Sequence, residues 1–489
     1  MRPLGLVQWV VFAGTLLVAS PARANGAYSH IYISHLAVEA LPEGPVRALL
    51  EEPEMLLACE QGSMFPDSGY AVEDPYGEFA HWEPFHEPLI QHLRGLHGGD
   101  FSSQEARRQI AFLLGVVSHA LADQVYDTTL LARSFEVDGP EIADLPVDQY
   151  ADYFLIIDQQ VMLKTSKGGP YPQLVRVLND EMGRTDLTEG DLDDAMYLMQ
   201  LMLGAQSTLL AKGGYLPAWN AYPFLGTHIH NEKVVGSLPW LAGPISELWQ
   251  VVWARLHGTD DPDRDMILRT IPPDGAVNFP VDASESVAYS RIGLVFGYGI
   301  KASEAFPLIT LRDPSGAIVA VEYGSPYGGE DRSFLFLRPK DKLAYDTTYT
   351  IEVAPGVVSL GGAVTTKARR FAFRTRCAED RLSDCPPLDP PLAAGPIPTA
   401  LPGEETDIPT GAEAESGAEG GCTMARRESS GRESWMGWLA LGMVWLARRR
   451  WLGNLNARRV PAPTPASTPR RKTQRTKPRR PTRRACTKP

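Results

Sequence analysis

The feature that most constrains this chain is a change of hydrophobic rhythm near Ile271. Upstream, residues 106–131 carry Ile110, Phe112, Leu113, Leu114, Val116, Val117 and Leu121 on a dense helical face, and residues 191–210 and 244–256 repeat the 3.6-residue spacing. Downstream, Pro272-Pro-Asp-Gly opens a series of short β-type runs, at 292–296, 309–311, 318–323, 333–337, 348–353 and 371–375, separated by turn residues. One period of 3.6 followed by one of 2 cannot share a single layer. With 489 residues the chain also exceeds an ordinary single core. The expectation is a multi-domain protein: a mostly α domain over 25–265, then an all-β sandwich over 271–376.

The two ends read as processing or tail segments. Residues 1–24 combine Arg2, an apolar run from Val7 to Ala19 and the triplet Ala22-Arg23-Ala24, the pattern of a secretory signal, so the mature chain is expected to begin at Asn25 and to be exported. A linker rich in Pro, Gly and Glu (386–421) leads to a segment 422–450 with Cys422, a short apolar run 435–447 and three arginines. That run gives about 20 Å of helix, too short for a bilayer. Its order resembles the C-terminal sorting signals of myxobacterial surface proteins, which would make Cys422 an anchoring site at the cell surface. Residues 451–489 form a basic tail expected to be disordered. Residues 448–489 hold 15 basic and no acidic residues, so the remainder is more acidic than the net charge of −12. An acidic working segment argues against a nucleic-acid partner bound through a basic groove. Cys377 and Cys385, eight apart, are a plausible disulfide in an exported chain, and Cys59 has no evident partner. There is no thiolate cluster, so any metal must use nitrogen and oxygen ligands.

His119 and Asp123 are four apart inside an apolar helix, which sets imidazole and carboxylate on one face. Burying both is expensive unless something satisfies them. A metal ion would do so, and so would a hydrogen bond between the two; the pair alone does not choose. Three further features bear on it: Ser29-His30-Ile-Tyr-Ile-Ser-His35, the string Gly62-Ser-Met-Phe-Pro-Asp67 with its carboxylate after a turn-forming proline, and Phe79-Ala-His81-Trp82.

In this order and spacing these strings resemble the zinc-dependent phospholipase C family, with its relatives the glycosylphosphatidylinositol-specific phospholipase D and the S1/P1-type nucleases, most closely the phospholipase D branch, over about residues 25–260. The resemblance implies a helical phospholipase C/P1 nuclease-like domain. It makes Asp67, His81, His119 and Asp123 ligands of one zinc, with Asp123 bridging to a second held by His30 and the amine of Asn25. It also makes Asp67 the residue that orients or deprotonates the attacking water. A third zinc is where the chain departs from the family. Where relatives place a histidine after the helix of His119 and Asp123 and a His-x-x-x-Asp or His-x-x-x-Glu pair further on, the chain reads Asp127 and Asp144-Leu-Pro-Val-Asp148, with Asp152 four further on, and an all-oxygen set favours harder ions or no ion. Two or three zinc ions are therefore expected. His35, His86, His92 and His97 have no place in the motif, and His228-Ile-His230 could share one strand face. The β half resembles bacterial Ig-like domains, which open on Pro-x-Asp-Gly and close on Phe-x-Phe-x-Thr.

The function these readings imply is a metal-dependent hydrolase of phosphate esters, with a phospholipid or glycolipid substrate at a membrane surface. An S1/P1-like nuclease is the alternative within enzymes. A surface binding protein with weakened catalysis is the alternative outside them, favoured by the aspartates at 127, 144 and 148.

Overall fold

The computed structural model describes residues 26–139, 147–162, 168–205, 208–281, 292–377, 380–381, 385–386 and 394–402. The expectations for residues 1–24, Asn25, Asp144 and everything from residue 403 onward, Cys422 included, lie outside the described residues.

The helical half begins with α1 (Ala27–Ala40), α2 (Pro45–Leu50), α3 (Pro53–Ala71), α4 (Tyr76–Ala80), α5 (Glu83–His97) and α6 (Gln104–Tyr126). A π-helical turn, Asp127–Leu131, then leads into α7 (Ala132–Asp138), α8 (Val147–Asp158), α9 (Tyr171–Met182), α10 (Glu189–Ala205), α11 (Thr208–Ala221), α12 (Pro223–His228), α13 (Leu238–His257) and α14 (Pro262–Asp265). Among the described residues no helix is long and apolar enough to cross a membrane.

Helix α6 is the axis of the domain. Ser103 caps it, its hydroxyl accepting from Ala106 N at 3.2 Å, and Glu105 in the first turn complements the helix dipole. Every residue from Gln109 to Tyr126 is buried, so the helix is covered on all sides and its polar residues must be answered from inside the protein. Two glycines bring α3 and α6 into backbone contact. A Cβ on Gly62 would fall 2.0 Å from the Phe112 carbonyl oxygen, and one on Gly115 would fall 2.0 Å from that of Cys59. A second close approach joins α3 to α4, where a Cβ on Gly69 would lie 2.3 Å from the Cα of Gly77. Trp249 of α13 closes the other flank by donating to the Leu114 carbonyl at 2.8 Å.

Several local expectations are corrected. Pro66 does not form a turn: α3 runs straight through it. A proline inside a helix costs about 3 kcal/mol, and here Phe65, wholly buried with its ring 5.5 Å from that of Phe112, holds the segment against α6. The segment 106–131 leaves α geometry at Asp127, and 191–210 divides between α10 and α11. His228 and Ile229 lie at the end of α12 and not in a strand, because Pro223 starts a helix there.

The β half forms two antiparallel sheets. Strands β1 (Ile267–Ile271), β2 (Ile292–Lys301), β4 (Val321–Gly324) and β5 (Asp331–Pro339) make one, in the order β1-β2-β5-β4; β3 (Ile309–Arg312), β6 (Thr348–Val353) and β7 (Arg369–Arg374) make the other, in the order β3-β6-β7. Their shared core includes Leu294, Phe296, Leu311, Leu335, Leu337 and Ile351. Strand β1 starts before the expected boundary at 271, so the sheet draws its first strand from the end of the helical segment. Cys377 and Cys385 are bonded, and Cys59 is buried and free.

The two halves meet along β2 and β5. The pairing of β2 with β5 shifts register between Val295 and Ile300, and within that irregularity Gly299 comes so close to α5 that a Cβ would fall 2.6 Å from the Cβ of Glu83. Gln124 of α6 accepts from the backbone N–H groups of Ser333 and Phe334, both at 3.0 Å, and donates to Glu83 at 2.7 Å.

Candidate metal centre

Five of the expected residues converge from four elements. His119 and Asp123 stand one turn apart on α6, Asp67 comes from α3, His81 caps the end of α4, and His30 comes from the first turn of α1. Ligand atoms of His30, His119 and Asp123 lie within 4.8 Å of one another, as do those of Asp67, His81 and His119. His119 belongs to both groups.

The rings are oriented by backbone carbonyls. His119 Nδ1 bonds to the Ser63 carbonyl at 2.7 Å, and His81 Nδ1 to the Gly77 carbonyl at 2.6 Å. A carbonyl only accepts, so each Nδ1 carries the proton and, in the neutral ring, each Nε2 is left with a lone pair. The glycine contacts between α3 and α6 bring the Ser63 carbonyl to His119, whereas the His81 bond runs back one turn to Gly77 of its own helix α4. The Nε2 atoms then face carboxylates: His119 to Asp123 at 3.2 Å and to Asp67 at 3.9 Å, His81 to Asp67 at 3.3 Å, and His30 to Asp123 at 3.2 Å. None of the three Nε2 atoms makes a hydrogen bond, although all are buried. Lone pairs directed at carboxylate oxygens repel unless a cation lies between them. Three imidazole nitrogens and two carboxylates are a donor set that suits zinc, and the outer Nδ1 bonds are of the kind that fix ligating histidines.

The charge of His119 agrees with this account, and that of His81 does not. Burial pushes the His119 imidazole below its usual range and the neighbouring His30 adds to it, while Asp123 and Asp67 offset them only in part. His30 and His119 stack with centroids 3.7 Å apart, an arrangement ill suited to two imidazolium ions. Burial pushes the Asp123 carboxyl up, but His119 and His30 outweigh it and hold the group well below the usual carboxylate range; Asp67 behaves likewise with His119 and His81 beside it. His81 is the opposite case: burial lowers it, and Asp67 more than compensates.

The expected aspartates do not join this cluster among the described residues. Asp127 opens the π-helical turn and accepts a hydrogen bond from the Tyr327 hydroxyl of the β half. Asp148 lies in the first turn of α8. Asp152, on the same helix, accepts from the N–H and hydroxyl of Ser29 at 3.1 and 3.3 Å and so caps the start of α1; burial pushes its carboxyl up to about 7. The remaining histidines have separate partners, with His35 on Glu60 at 2.6 Å, His92 on Gln173 at 2.6 Å, His97 on Gln109 at 2.7 Å and His86 on the Ala80 carbonyl at 3.1 Å. The residues that sequence reasoning missed are those that hold the ligands: Gly62, Gly69, Gly77 and Gly115, with Ser63 acting through its backbone. Glycines placed inside helices were the available signal.

Comparison with known proteins agrees with both halves. Residues 29–126 match the zinc dependent phospholipase C family, and residues 261–375 match the bacterial Ig-like domain. The phosphatidylinositol-glycan-specific phospholipase D of Bos taurus is 26% identical over 211 residues, covering 38% of this chain and 24% of that protein; the Rattus norvegicus protein of the same name is 23% identical over 227 residues, covering 40% and 25%. The chain thus spans about a quarter of the length of these curated relatives. A crystal structure of the S-layer protein rSbsC aligns over 68% of this chain and 46% of that one at 9% identity, with a TM-score of 0.17. By these matches the chain joins a helical domain of the zinc dependent phospholipase C kind to a bacterial Ig-like domain.

Proposed function

We propose that this protein hydrolyses phosphoester bonds of phospholipids, in the manner of a phospholipase C or D, at a centre that holds two zinc ions. The observation that carries the proposal is the trio of buried Nε2 atoms on His30, His81 and His119, none hydrogen-bonded and all directed at Asp67 or Asp123. The names of the family and of the curated relatives support the substrate class. Asp67, His81, His119 and Asp123 would hold one ion, and His30 with Asp123 the second, joined by the amine of a chain processed to Asn25. Export through residues 1–24 and work at a membrane surface belong to the same reading, as does a third ion near Asp127, Asp144 and Asp148.

Bound zinc would supply a water of lowered pKa and positive charge against the phosphoryl oxygens. The chain's own residues do the rest. Asp67 is the most open member of the cluster, with its side chain 12% exposed. Its carboxyl is held low, so it accepts a hydrogen bond from the attacking water and aims it, acting more as an orienting group than as a strong base. The Nδ1 bonds to Ser63 and Gly77 prevent the His119 and His81 rings from turning away.

The test is to purify the chain, measure bound zinc, and compare head-group release from phospholipid vesicles with nucleotide release from single-stranded nucleic acid. Lipid hydrolysis is expected to stop on chelation and return with zinc, and His119→Ala is expected to lower it by roughly a thousandfold. Full activity in His119→Ala, or a wild-type chain without stoichiometric metal, would overturn the proposal. Preferential nucleotide release would replace the substrate class.

A further inference from the structure

The Ig-like half brings Tyr327 to the border of the candidate metal centre. The loop Ser325-Pro-Tyr-Gly-Gly joins β4 to β5 and carries Tyr327 at φ 55°, ψ 16°. This is the left-handed region, which is unfavourable for a non-glycine residue, and such outliers gather where a side chain is held in place for use. The Tyr327 hydroxyl donates to Asp127, which lies one helical turn beyond Asp123. Its ring lies 5.2 Å from that of Trp82, and Trp82 follows the ligand His81 with ring centroids 5.7 Å apart. The Arg332 guanidinium sits 4.0 Å from the Trp82 ring centroid. On the other side of His81 the Tyr70 ring lies 4.9 Å away, and Glu78 ties the rim together by accepting from Trp82 Nε1 at 2.8 Å and from the Tyr70 hydroxyl at 2.5 Å. Tyr70, Trp82 and Tyr327 are therefore an aromatic border beside the ligands, and only Tyr327 comes from the β half. The border is anchored: Gln124, adjacent to the ligand Asp123, holds the N–H groups of Ser333 and Phe334 in a buried contact.

We propose that the Ig-like half forms one wall of the substrate entrance, with Tyr327 as its positioning residue, and that this wall selects phosphoesters bearing an apolar group, such as the glycerol and first acyl carbons of a lipid, over small phosphates. The inference rests on the phospholipase reading above. The ring contributes apolar surface where the esterified group must pass, and the bond to Asp127 fixes the height of that wall over the metal ligands. A binding accessory placed away from the site would have no such residue.

The experiment uses the full chain as wild type, Tyr327→Ala, Tyr327→Phe and, as a control inside the β half, Tyr323→Phe, which removes a hydroxyl bonded to the Ile309 carbonyl. Four readouts are needed: kcat and KM on a soluble short-chain phosphatidylcholine, bound zinc, calorimetric affinity for inorganic phosphate, and affinity for a short-chain phosphonate lipid. For Tyr327→Ala, kcat/KM on the lipid is expected to fall about tenfold, mostly in KM, and for Tyr327→Phe about threefold. Zinc content and phosphate affinity should stay at wild-type values, and Tyr323→Phe should match wild type throughout. Unchanged lipid kinetics in Tyr327→Ala overturns the inference, and so does a parallel loss of lipid activity, phosphate affinity and zinc. If wild type hydrolyses no phosphoester, the reading of function fails by itself and the phosphonate lipid decides the wall: about tenfold weaker binding in Tyr327→Ala sustains it. Equal binding, or none by either protein, overturns it.

Discussion

The two sides of the candidate metal centre are built on different terms. On the imidazole side, His119 is fixed by a backbone carbonyl of a helix packed to within touching distance and His81 by a carbonyl one turn back on its own helix, so ring orientation is a property of the local fold. On the aspartate side, Asp127, just outside the cluster, is met by a tyrosine hydroxyl from a loop 200 residues later. The first arrangement cannot change without moving helices. The second depends on one side chain of the β half, and on the inference above a change there leaves the candidate ligands in place.

The comparison can be broken most severely at the helix contact. Gly115→Ala places a Cβ 2.0 Å from the Cys59 carbonyl oxygen, so α3 and α6 must part and Ser63 must leave His119. A loss of about 3 kcal/mol in denaturant unfolding is expected, together with a clear fall in bound zinc; wild-type values for both would show that orientation does not come from packing. Gln124→Ala acts on the opposite side. It removes the acceptor of two buried N–H groups and should cost about 2 kcal/mol by calorimetry while zinc content holds, and a loss of zinc would erase the distinction between the sides. A third effect, spread over several pH units, is a slope. Asp152 has a folded pKa raised to about 7, so its contribution to stability is complete below its unfolded value of about 3.9 and is lost as pH rises through about 7. In metal-free protein the stability difference between Asp152→Asn and wild type should grow from about pH 4 to 7 by no more than about 1.4 kcal/mol per unit and then level off. A flat difference across that range would mean that the carboxyl is already ionised.

The imidazole side was legible in the sequence because polar residues in apolar helices are costly without a partner. His119 and Asp123 stood out for that reason, and His30, Asp67 and His81 joined them through the strings that carry the family resemblance. The groups that orient them were not legible, since a backbone carbonyl leaves no mark of its own and the helical glycines did not reveal which helix each one touches. Pro66 misled for a related reason: its local preference for a turn was overridden by the burial of Phe65. The β strands were found by alternation, but Tyr327 sits in a stretch of Pro and Gly that reads as an ordinary turn, and its partner cannot be inferred from spacing. The change of rhythm near Ile271 marked a change of architecture correctly. It did not mark an independent boundary, because β1 precedes it and Gly299 of β2 presses against α5.

That interlocking bears on how such a protein can be divided or recombined. A chain ending before β2 would leave the Gln124 amide and the Glu83 carboxylate, both buried, facing water beside two of the ligands. Exchanging the sandwich for another of the same class would require a strand that offers consecutive N–H groups to Gln124 and a glycine opposite Glu83. The helical and β halves are thus a single unit of exchange, however separable their sequence rhythms make them look.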